Sequence, residues 1–360
     1  MFFERTSVGL DVHARSVVAS AIDGVTGEVV TERLVPDHEV VIGWLRRLPP
    51  PVAVTYEAGP TGYGLYRSLT AAGIDCVVAA PSRLIRPAGD RVKTDARDAV
   101  LLARLLRLGE IVPVIVPSVA QESARDLVRA REDARSELMR ARHRVGKLLL
   151  RHGHVYYGGV TWSRPHEAWL RSIRFDQPGT RVAFENAYET VTLATTRRDR
   201  LDLAIAEMAA ASEYTDTTRR LACLRGISTL TGFALAVEIG NWHRLTGATI
   251  GSYLGLVPTE HSSGDKRSQG GITKTGNSHA RRLLIESAWH HKPAYRPGKT
   301  ILDRWAQAPA PVVARADAGN RRLHHRWVQL ETRKKKHTIT TTAVARELAG
   351  WCWSLAVMDG

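Results

Sequence analysis

Short apolar runs separated by turn signals characterise the first third of the chain. These runs predict strands, and the stretches of helical spacing between them predict helices. The predicted strands span 6–13, 16–23, 27–34, 51–57 and 75–79, and the predicted helices span 38–47, 61–72 and 95–108. Turn signals at Asp23-Gly24 and Thr26-Gly27 separate the second strand from the third. An antiparallel meander therefore leads into strands that are joined by helices, and this order predicts an α/β domain.

From Ser118 onwards the apolar spacing changes to that of long helices. Ser118 with Gln121 forms a capping-box start just after Pro117. One apolar face then continues to Gly153 through Leu127, Ala134, Leu138, Ala141, Val145 and Leu148. A second run near 181–212 has the same spacing at Phe184, Ala187, Val191, Ala194, Leu201, Ile205 and Met208. We predict an antiparallel helical hairpin of coiled-coil type, joined by the turn-rich segment 153–180. Its arginine-rich outer faces either contact nucleic acid or are ordinary solvated surface.

The next pattern is a helix, a glycine-containing turn and a second helix. Residues 221–232 contain the turn at Gly226, and the apolar helix 233–239 follows. A helix-hairpin-helix-like element of this kind can present backbone N–H groups to a DNA phosphate, although a plain helical hairpin has the same pattern. The predicted regions are therefore an α/β domain at 1–115, the helical hairpin at 116–215, a mainly α domain at 216–300 and a basic extension at 301–360.

The charge of the chain is strongly positive and unevenly distributed. The net charge is +15, and the isoelectric point is about 10.2. Residues 1–115 hold 13 Lys and Arg against 13 Asp and Glu, residues 116–215 hold 16 against 13, and residues 216–360 hold 22 against 10. A localised cationic excess is typical of phosphate binding, whereas a merely solvated surface usually mixes the two signs. The charge indicates a polyanionic partner for the C-terminal part.

The composition is that of a folded protein without a membrane anchor. Hydrophobic residues make up 44% of the chain, no run of about 18 apolar residues occurs, and the N-terminus lacks the layout of a signal peptide. We therefore expect a soluble intracellular protein. Cys76, Cys223 and Cys352 are far apart, so they form neither a disulfide framework nor a zinc site and are expected in the core.

Four acidic residues stand at strand ends and at one helix start. Asp95 and Asp98 lie three residues apart on a predicted helix and share a face, while Asp11 and Glu57 lie at the ends of two predicted strands. The order of elements describes an RNase H-like fold, in which carboxylates collect at one edge of the sheet. Hard cations such as Mg²⁺ prefer such oxygen ligands. The alternative is structural, with Asp95 as a helix N-cap and Asp98 favoured by the helix dipole.

A second candidate site lies in the loop between residues 256 and 277. The loop is rich in Ser, Gly, Thr, Lys and Arg, and a predicted helix with Arg281 and Arg282 follows it. Glycines allow close backbone approach, and Lys266, Arg267 and Lys274 can balance phosphate charge. A hydroxyl beside a glycine can act as a nucleophile on a phosphodiester, although the sequence fixes no activating partner for it. A flexible basic loop without covalent chemistry is the alternative.

These residues resemble the DEDD transposases of the insertion-sequence one-ten group, which are recombinases directed by a structured bridge RNA. The resemblance covers roughly residues 5 to 292, and its motifs occur in the order of the family. They are Gly9-Leu10-Asp11, Tyr56-Glu57-Ala58, the segment 93–99 around Asp95 and Asp98, the hairpin 224–232, Glu238-Ile239-Gly240, the segment 253–258, Ser262-Ser263-Gly264 and the segment 272–277. Their joint occurrence is specific, although no single motif is.

The resemblance implies a function and a site. Asp11, Glu57, Asp95 and Asp98 resemble the metal-binding tetrad of a RuvC-like domain that uses Mg²⁺ or Mn²⁺, and Ser263 resembles the serine that attacks DNA. The implied partners are donor and target DNA, a non-coding bridge RNA and further copies of the chain, in a dimer or tetramer with a composite active site. The implied location is the bacterial cytoplasm, in association with the nucleoid and without a membrane.

The sequence departs from the family pattern in two places, and parts of it also fit two other functions. The hairpin reads Gly226-Ile227-Ser228, where the family commonly has a second glycine. The tail beyond residue 300, with its basic run 333–336 and with Trp351 and Trp353, aligns with nothing, so it either binds nucleic acid or is a basic tail with a packed terminal helix. The acids alone also fit a metal-dependent structure-specific nuclease, and the basic C-terminal part alone fits a non-catalytic nucleic-acid-binding protein.

Overall fold

The computed structural model of the chain describes residues 5–84, 94–260 and 268–358. It divides into two units, one that ends at Pro117 and one that begins at Ser118. Three of the residues predicted to act on nucleic acid, Ser263, Lys266 and Arg267, lie outside the described residues.

The N-terminal unit has the predicted order of three strands followed by alternating helices and strands. Its elements are β1 (Thr6–Val12), β2 (Val17–Ile22), β3 (Val29–Leu34), α1 (His38–Leu45), β4 (Val52–Glu57), α2 (Gly64–Ala71), β5 (Asp75–Ala79) and α3 (Asp95–Arg107). The strands form one sheet in the order β3-β2-β1-β4-β5. The β1–β2 and β2–β3 pairs are antiparallel, and the β1–β4 and β4–β5 pairs are parallel. The predicted mixed α/β sheet is therefore confirmed.

The two faces of this sheet are covered by different helices. Val8, Leu10 and Tyr56 share a core cluster with α1 and α2. Side chains alternate between the faces of a strand, so Gly9 and Asp11 lie on the opposite face from Leu10. A Cβ atom built on Gly9 would meet the backbone of α3, which shows that α3 covers this second face. The face covered by α3 therefore carries Asp11.

The C-terminal unit is mainly helical, as predicted. Its elements are α4 (Val119–Arg151), α5 (Arg164–Ser172), α6 (Pro178–Ala210), α7 (Thr215–Leu221), α8 (Thr229–Ile239), α9 (Ile250–Tyr253), β6 (Pro258–Glu260), β7 (Gln269–Ile272), α10 (Ser278–Ala288), α11 (Lys299–Trp305), α12 (Ala310–Thr332) and α13 (His337–Ala356). Ser118 caps α4 by accepting the N–H of Gln121, as the capping-box pattern indicated. Helix α5 lies within the segment that we predicted to consist of turns.

Helices α4 and α6 pack side by side in opposite directions. Residues near the start of α4 pack with the end of α6, as Val128 does with Ile205, and Leu149 near the end of α4 packs with Phe184. An ion pair of 2.6 Å between Arg131 and Asp202 lies between these contacts. The antiparallel pair that the apolar spacing predicted is therefore present.

The tail beyond residue 300 belongs to the main core of the C-terminal unit. Val312, Leu323, Trp327 and the apolar face of α13 share one buried cluster with α7, α8 and α10. The tail therefore ends in a packed helix, which was one of the two alternatives for it. Within the described residues, no helix is both long enough and apolar enough to cross a bilayer.

Candidate functional site

The carboxyl ends of β1 and β4 lie next to each other in the sheet. The parallel register pairs Leu10 with Tyr56, and Asp11 and Glu57 are the residues that follow each of them. Side chains at paired positions of neighbouring strands point to the same face of the sheet. Asp11 and Glu57 therefore both lie on the face that α3 covers. The structure thus places Asp11 and Glu57 at one edge of the sheet, as the sequence predicted.

Helix α3 packs unusually close to β1, and Gly9 makes this possible. A Cβ atom at Gly9 would lie 2.1 Å from the carbonyl oxygen of Ala99 and 2.5 Å from the backbone nitrogen of Ala103, so only glycine fits. The N-cap of α3 is Thr94, whose hydroxyl accepts the N–H of Arg97. Our alternative in which Asp95 caps the helix is therefore wrong, because Asp95 is already inside the first turn. Asp95 and Asp98 stand one helical turn apart, above the end of β1.

Three side chains come close enough to share one ion. Within the described residues, the possible ligand atoms of Asp11, His13 and Asp95 all lie within 4.8 Å of one another. His13 Nε2 is 3.2 Å from Asp11 Oδ2 and 3.9 Å from Asp95 Oδ1. Arg33 donates to Asp95 Oδ2 at 3.2 Å. Glu57 and Asp98, the other two predicted ligands, are near but do not belong to this group of three.

His13 and Arg33 are the residues that sequence analysis did not identify. His13 stands two residues after Asp11, and this Asp-x-His spacing was a usable signal, because alternate residues of an extended segment face the same side. Arg33 comes from β3 and is 62 residues away from Asp95, so no local pattern connects the two. Both side chains place positive or potentially positive groups against the acids.

The electrostatics of the cluster favour the binding of a cation. Burial raises the pKa of Asp11 above its ordinary value, and the nearby charges of Asp95 and Asp98 raise it further, while His13 acts in the opposite direction. A divalent cation bound between carboxylates stabilises their ionised form. Two carboxylates and one imidazole are a suitable donor set for such an ion. The residues present therefore fit a divalent metal site.

The described part of the second predicted site comprises residues 256–260 and 268–277 of the loop and the helix that follows it. Lys274 is exposed and has a positive φ of 55°, and its N–H donates to Gly255. Arg281 donates to the carbonyls of Leu254 and Thr275 at 3.0 and 2.8 Å. Arg282 donates to Glu286 at 2.7 Å and also pairs with Glu132 of α4. Both arginines thus form hydrogen bonds or ion pairs within the protein, and their contacts with nucleic acid remain predictions.

A buried carboxylate supports the start of α10. Glu238 in α8 has no solvent-exposed side-chain surface. Arg129 of α4 donates to both of its oxygens at 3.1 Å, Asn277 donates at 2.7 Å, and His279 Nδ1 lies 3.2 Å away. Burial alone would raise the pKa of Glu238, but the hydrogen bonds from His279, Arg129 and Asn277 outweigh it and lower the pKa to about 2. Asn277 is also the N-cap of α10, so Glu238 fixes the point at which the loop after β7 enters that helix.

Two family models match the chain, and they cover both candidate sites. A DEDD transposase model of the IS110 type matches residues 8–153, and a model of the transposase IS116/IS110/IS902 family matches residues 218–300. The transposase-related protein y4qE of Sinorhizobium fredii is 38% identical over 98% of this chain and 89% of its own length. The chain belongs to the IS110 family of transposases. The transposase for the insertion sequence element IS1533, from Leptospira borgpetersenii, is 30% identical over 91% of this chain and 97% of its own length.

The resemblance identified from the sequence motifs is therefore confirmed. This insertion-sequence transposase is a DNA-processing enzyme, and its acidic cluster lies within the first matched range. The second matched range contains Glu238, Asn277 and the segment that joins β6 to β7.

Proposed function

We propose that this transposase cuts and rejoins DNA strands through a serine-phosphate intermediate. In this proposal Ser263 is the nucleophile, and Asp11, Glu57, Asp95 and Asp98 hold a divalent cation, Mg²⁺ or Mn²⁺. The observation that carries the proposal is the meeting of Asp11 and Asp95 within 4.8 Å at the edge where Asp98 and Glu57 also stand. Like charges this close repel one another, and a divalent cation between them would offset that repulsion in addition to His13 and Arg33.

The proposed reaction conserves the energy of the phosphodiester bond. The Ser263 hydroxyl gives up its proton as its oxygen forms a bond to phosphorus, the bond from phosphorus to a sugar oxygen breaks, and that sugar oxygen takes up a proton. The hydroxyl of a second strand then attacks the same phosphorus and releases Ser263. When bound, the cation supplies charge neutralisation for the phosphate oxygens. Lys266, Arg267 and Lys274 are proposed to hold the scissile phosphate, and Arg281 and Arg282 are proposed to support the binding of nucleic acid beside it.

We also propose that the N-terminal unit has an RNase H-like fold of the RuvC type. Its support is the strand order β3-β2-β1-β4-β5, with three antiparallel strands followed by two parallel ones and with acids at the ends of β1 and β4. In the same proposal α7 and α8 form the helix-hairpin-helix-like element. Gly226, with a φ of 85°, makes the turn between these two helices.

The proposed partners are donor DNA, target DNA, a bridge RNA and further copies of the chain. The charge of the C-terminal part supports the binding of several polyanionic segments. Exposed apolar residues along α4 and α6 support self-association in a dimer or tetramer with a composite active site. They are Met139, Leu150, Val182, Leu193 and Leu203.

The acidic cluster is tested by removing its charge. Asp11→Asn, Glu57→Gln, Asp95→Asn and Asp98→Asn should each lower the rate of Mg²⁺-dependent strand cleavage by about 100-fold or more, since each change removes a ligand charge from the reacting phosphate's surroundings. Binding of DNA should remain. Glu39→Gln, at an exposed acid in the first turn of α1, is the matched control and should cleave normally. Wild-type cleavage by the Asp95→Asn, Asp98→Asn double variant would refute the metal assignment.

The nucleophile is tested by looking for a covalent protein-DNA adduct. Ser263→Ala should abolish the adduct and all rejoining while DNA binding remains, and the neighbouring Ser262→Ala should have a milder effect. The measurement is denaturing electrophoresis of the enzyme with labelled target DNA, guide RNA and Mg²⁺. An adduct that is lost only in Ser262→Ala would move the nucleophile by one residue. Cleavage by the wild type without any adduct would instead identify a nuclease that uses water.

A further inference from the structure

An open groove of about 1030 Å³ runs along α13 in the C-terminal unit. Its floor is the side of α13 from Thr338 to Ser354, which extends roughly 24 Å at 1.5 Å per residue. Helix α12 forms one wall. The segment around Gly247 and Gly251, together with β7, forms the other wall. The groove is therefore long enough for several nucleotides.

The lining of the groove combines cationic and apolar groups. Arg315, Arg326 and Arg346 contribute three positive charges, and Glu347 contributes one negative charge. Glu347 is already paired, with Arg322 at 2.8 Å and with Arg326 at 3.8 Å. Within the described residues, neither Arg315 nor Arg346 forms an ion pair, and both are exposed. Two cations in the groove thus have no acidic partner in the part of the chain that the structure describes.

The apolar part of the lining provides flat surfaces. The guanidinium of Arg315 in α12 lies 4.3 Å from the centre of the Trp351 ring in α13, and Ile339, which is 53% exposed, lines the groove twelve residues earlier on α13. The indole N–H of Trp353 donates to Leu245, which fixes the ring at the wall of the groove. On the opposite wall, a Cβ atom at Gly271 would meet nothing within 4 Å, so the backbone of β7 is open to a ligand. Bases stack on arginine and aromatic surfaces of this kind.

One end of the groove opens beside a cluster of positive charge. Thr338 and Ile339 line the groove at the first turn of α13. The four residues before this helix, Arg333 to Lys336, form an exposed turn between α12 and α13. Four cations and the N-terminus of a 20-residue helix both favour phosphate. The positive potential of the groove therefore continues past its end.

We propose that this groove binds an unpaired nucleic-acid strand, with its phosphates on Arg326, Arg346 and the basic turn and with its bases against Ile339 and the Arg315–Trp351 surface. A duplex hides its base faces and presents phosphates on a convex surface, so the apolar lining of a concave groove would contribute nothing to its binding. The inference rests on the proposed function, because an enzyme that opens and rejoins strands must hold strands that are not paired.

The test is a binding titration of the full chain without Mg²⁺, so that it does not depend on cleavage. The probes are fluorescein-labelled oligothymidylate and oligouridylate of about 12 nucleotides and a DNA duplex of the same length. The double variant Arg326→Gln, Arg346→Gln should weaken the binding of single strands by about tenfold or more. It should also reduce the slope of log K against log salt by about 1.4, since each lost phosphate contact accounts for about 0.7. Duplex binding should change much less.

Two further variants keep the result interpretable. Arg321→Gln removes one charge from the same helix α12 but outside the groove, and it should leave both Kd and slope unchanged. Thr342→Glu adds a carboxylate to the groove without removing any cation, and it should also weaken the binding of single strands. Equal affinity for the two oligonucleotides, or a preference for either one, supports the proposal and identifies the strand as DNA, RNA or both.

Three results would overturn the inference. The first is wild-type affinity and slope in the double variant. The second is an equal loss for duplex and single strand, which would indicate a general phosphate surface. The third is unchanged binding together with a changed oligomeric state, which would assign the groove to a second copy of the chain. Loss of cleavage in Asp11→Asn with intact strand binding would leave this inference standing, so the two proposals can fail separately.

Discussion

Glu238 illustrates how one side chain can connect three helices of the C-terminal unit. A carboxylate without solvent contact is costly unless hydrogen bonds replace its water. Arg129 binds it with two parallel hydrogen bonds, and Asn277 and His279 approach from α10. These hydrogen bonds therefore replace the water that the buried carboxylate loses on folding, and they tie the start of α10 to α8 and α4.

The pH dependence of the free energy of unfolding should reveal the contribution of the Glu238 carboxylate. The folded pKa of about 2 lies below the ordinary 4.5, so the unfolded chain binds the proton more tightly. Its stabilisation, about 3 kcal/mol in total, is fully present above about pH 4.5 and is lost as the pH falls toward 2. Glu238→Gln should lower the free energy of unfolding at pH 7 by about that amount and flatten its decline in acid. Denaturant titrations at several pH values measure both effects.

Glu286→Gln is the matched control for this prediction. Glu286 pairs with Arg135 and Arg282, but its side chain is 47% exposed, and exposed ion pairs contribute only about 0–1 kcal/mol. An equal loss of stability in both variants would contradict the special role of the buried carboxylate.

At the scale of elements, the packing of α3 on β1 assembles the acidic cluster. Asp11 belongs to the strand, whereas Asp95 and Asp98 belong to the helix, and Gly9 sets the distance between the two elements. Because Gly9 lies two residues before Asp11 and contacts the helix at Ala99, the close approach occurs directly beside the acids.

Gly9→Ala should separate these elements. The added methyl group would meet backbone atoms at 2.1 and 2.5 Å, and backbone cannot swing aside as a flexible side chain can. We expect a loss of about 1–3 kcal/mol in the free energy of unfolding and a marked loss of strand cleavage. Gly43→Ala is the control, because Gly43 lies in α1 with open space around it, and alanine should stabilise that helix by up to roughly 1 kcal/mol. Normal cleavage by Gly9→Ala would contradict the role of this contact.

At the scale of the whole molecule, the two units differ in charge. Residues 1–115 have no net charge, and the remainder carries all of the +15. A unit without net charge exerts little long-range attraction on phosphate, so we expect the attraction that brings nucleic acid to the enzyme to come from the C-terminal unit.

Isolated fragments should show the difference in charge as a difference in affinity for nucleic acid. The fragment 118–360 should bind DNA and RNA with an affinity that falls steeply as salt increases, because cationic contacts release counterions from the phosphates. The fragment 1–117 should bind weakly at every salt concentration. Fluorescence anisotropy with a labelled duplex and a labelled RNA measures both, and circular dichroism checks that each fragment is folded. Equal affinity of the two fragments would show that net charge does not locate the binding surface.

The sequence by itself determined the order of elements in the N-terminal unit, the antiparallel helical pair and the shared faces of the acids, but not the strands β6 and β7, which it presented as a loop. Each of these follows from short-range patterns, because alternation places Gly9 and Asp11 on one face of a strand and a three-residue spacing places Asp95 and Asp98 on one face of a helix. The short helix α5 was missed, since its nine residues offer too few turns for a clear period between turn-forming segments.

Only the tertiary structure decided which distant side chains became partners. Arg33 and Asp95 are separated by 62 residues, and Arg129 and Glu238 by 109, and no spacing along the chain relates either pair. Arg281 and Arg282 look like free cations in the sequence, yet folding gives them carbonyl and carboxylate partners. The groove along α13 likewise exists only because α12, α13 and β7 pack around one space. Contacts of this kind depend on how whole elements pack, whereas local periodicity is set within a few residues of each position.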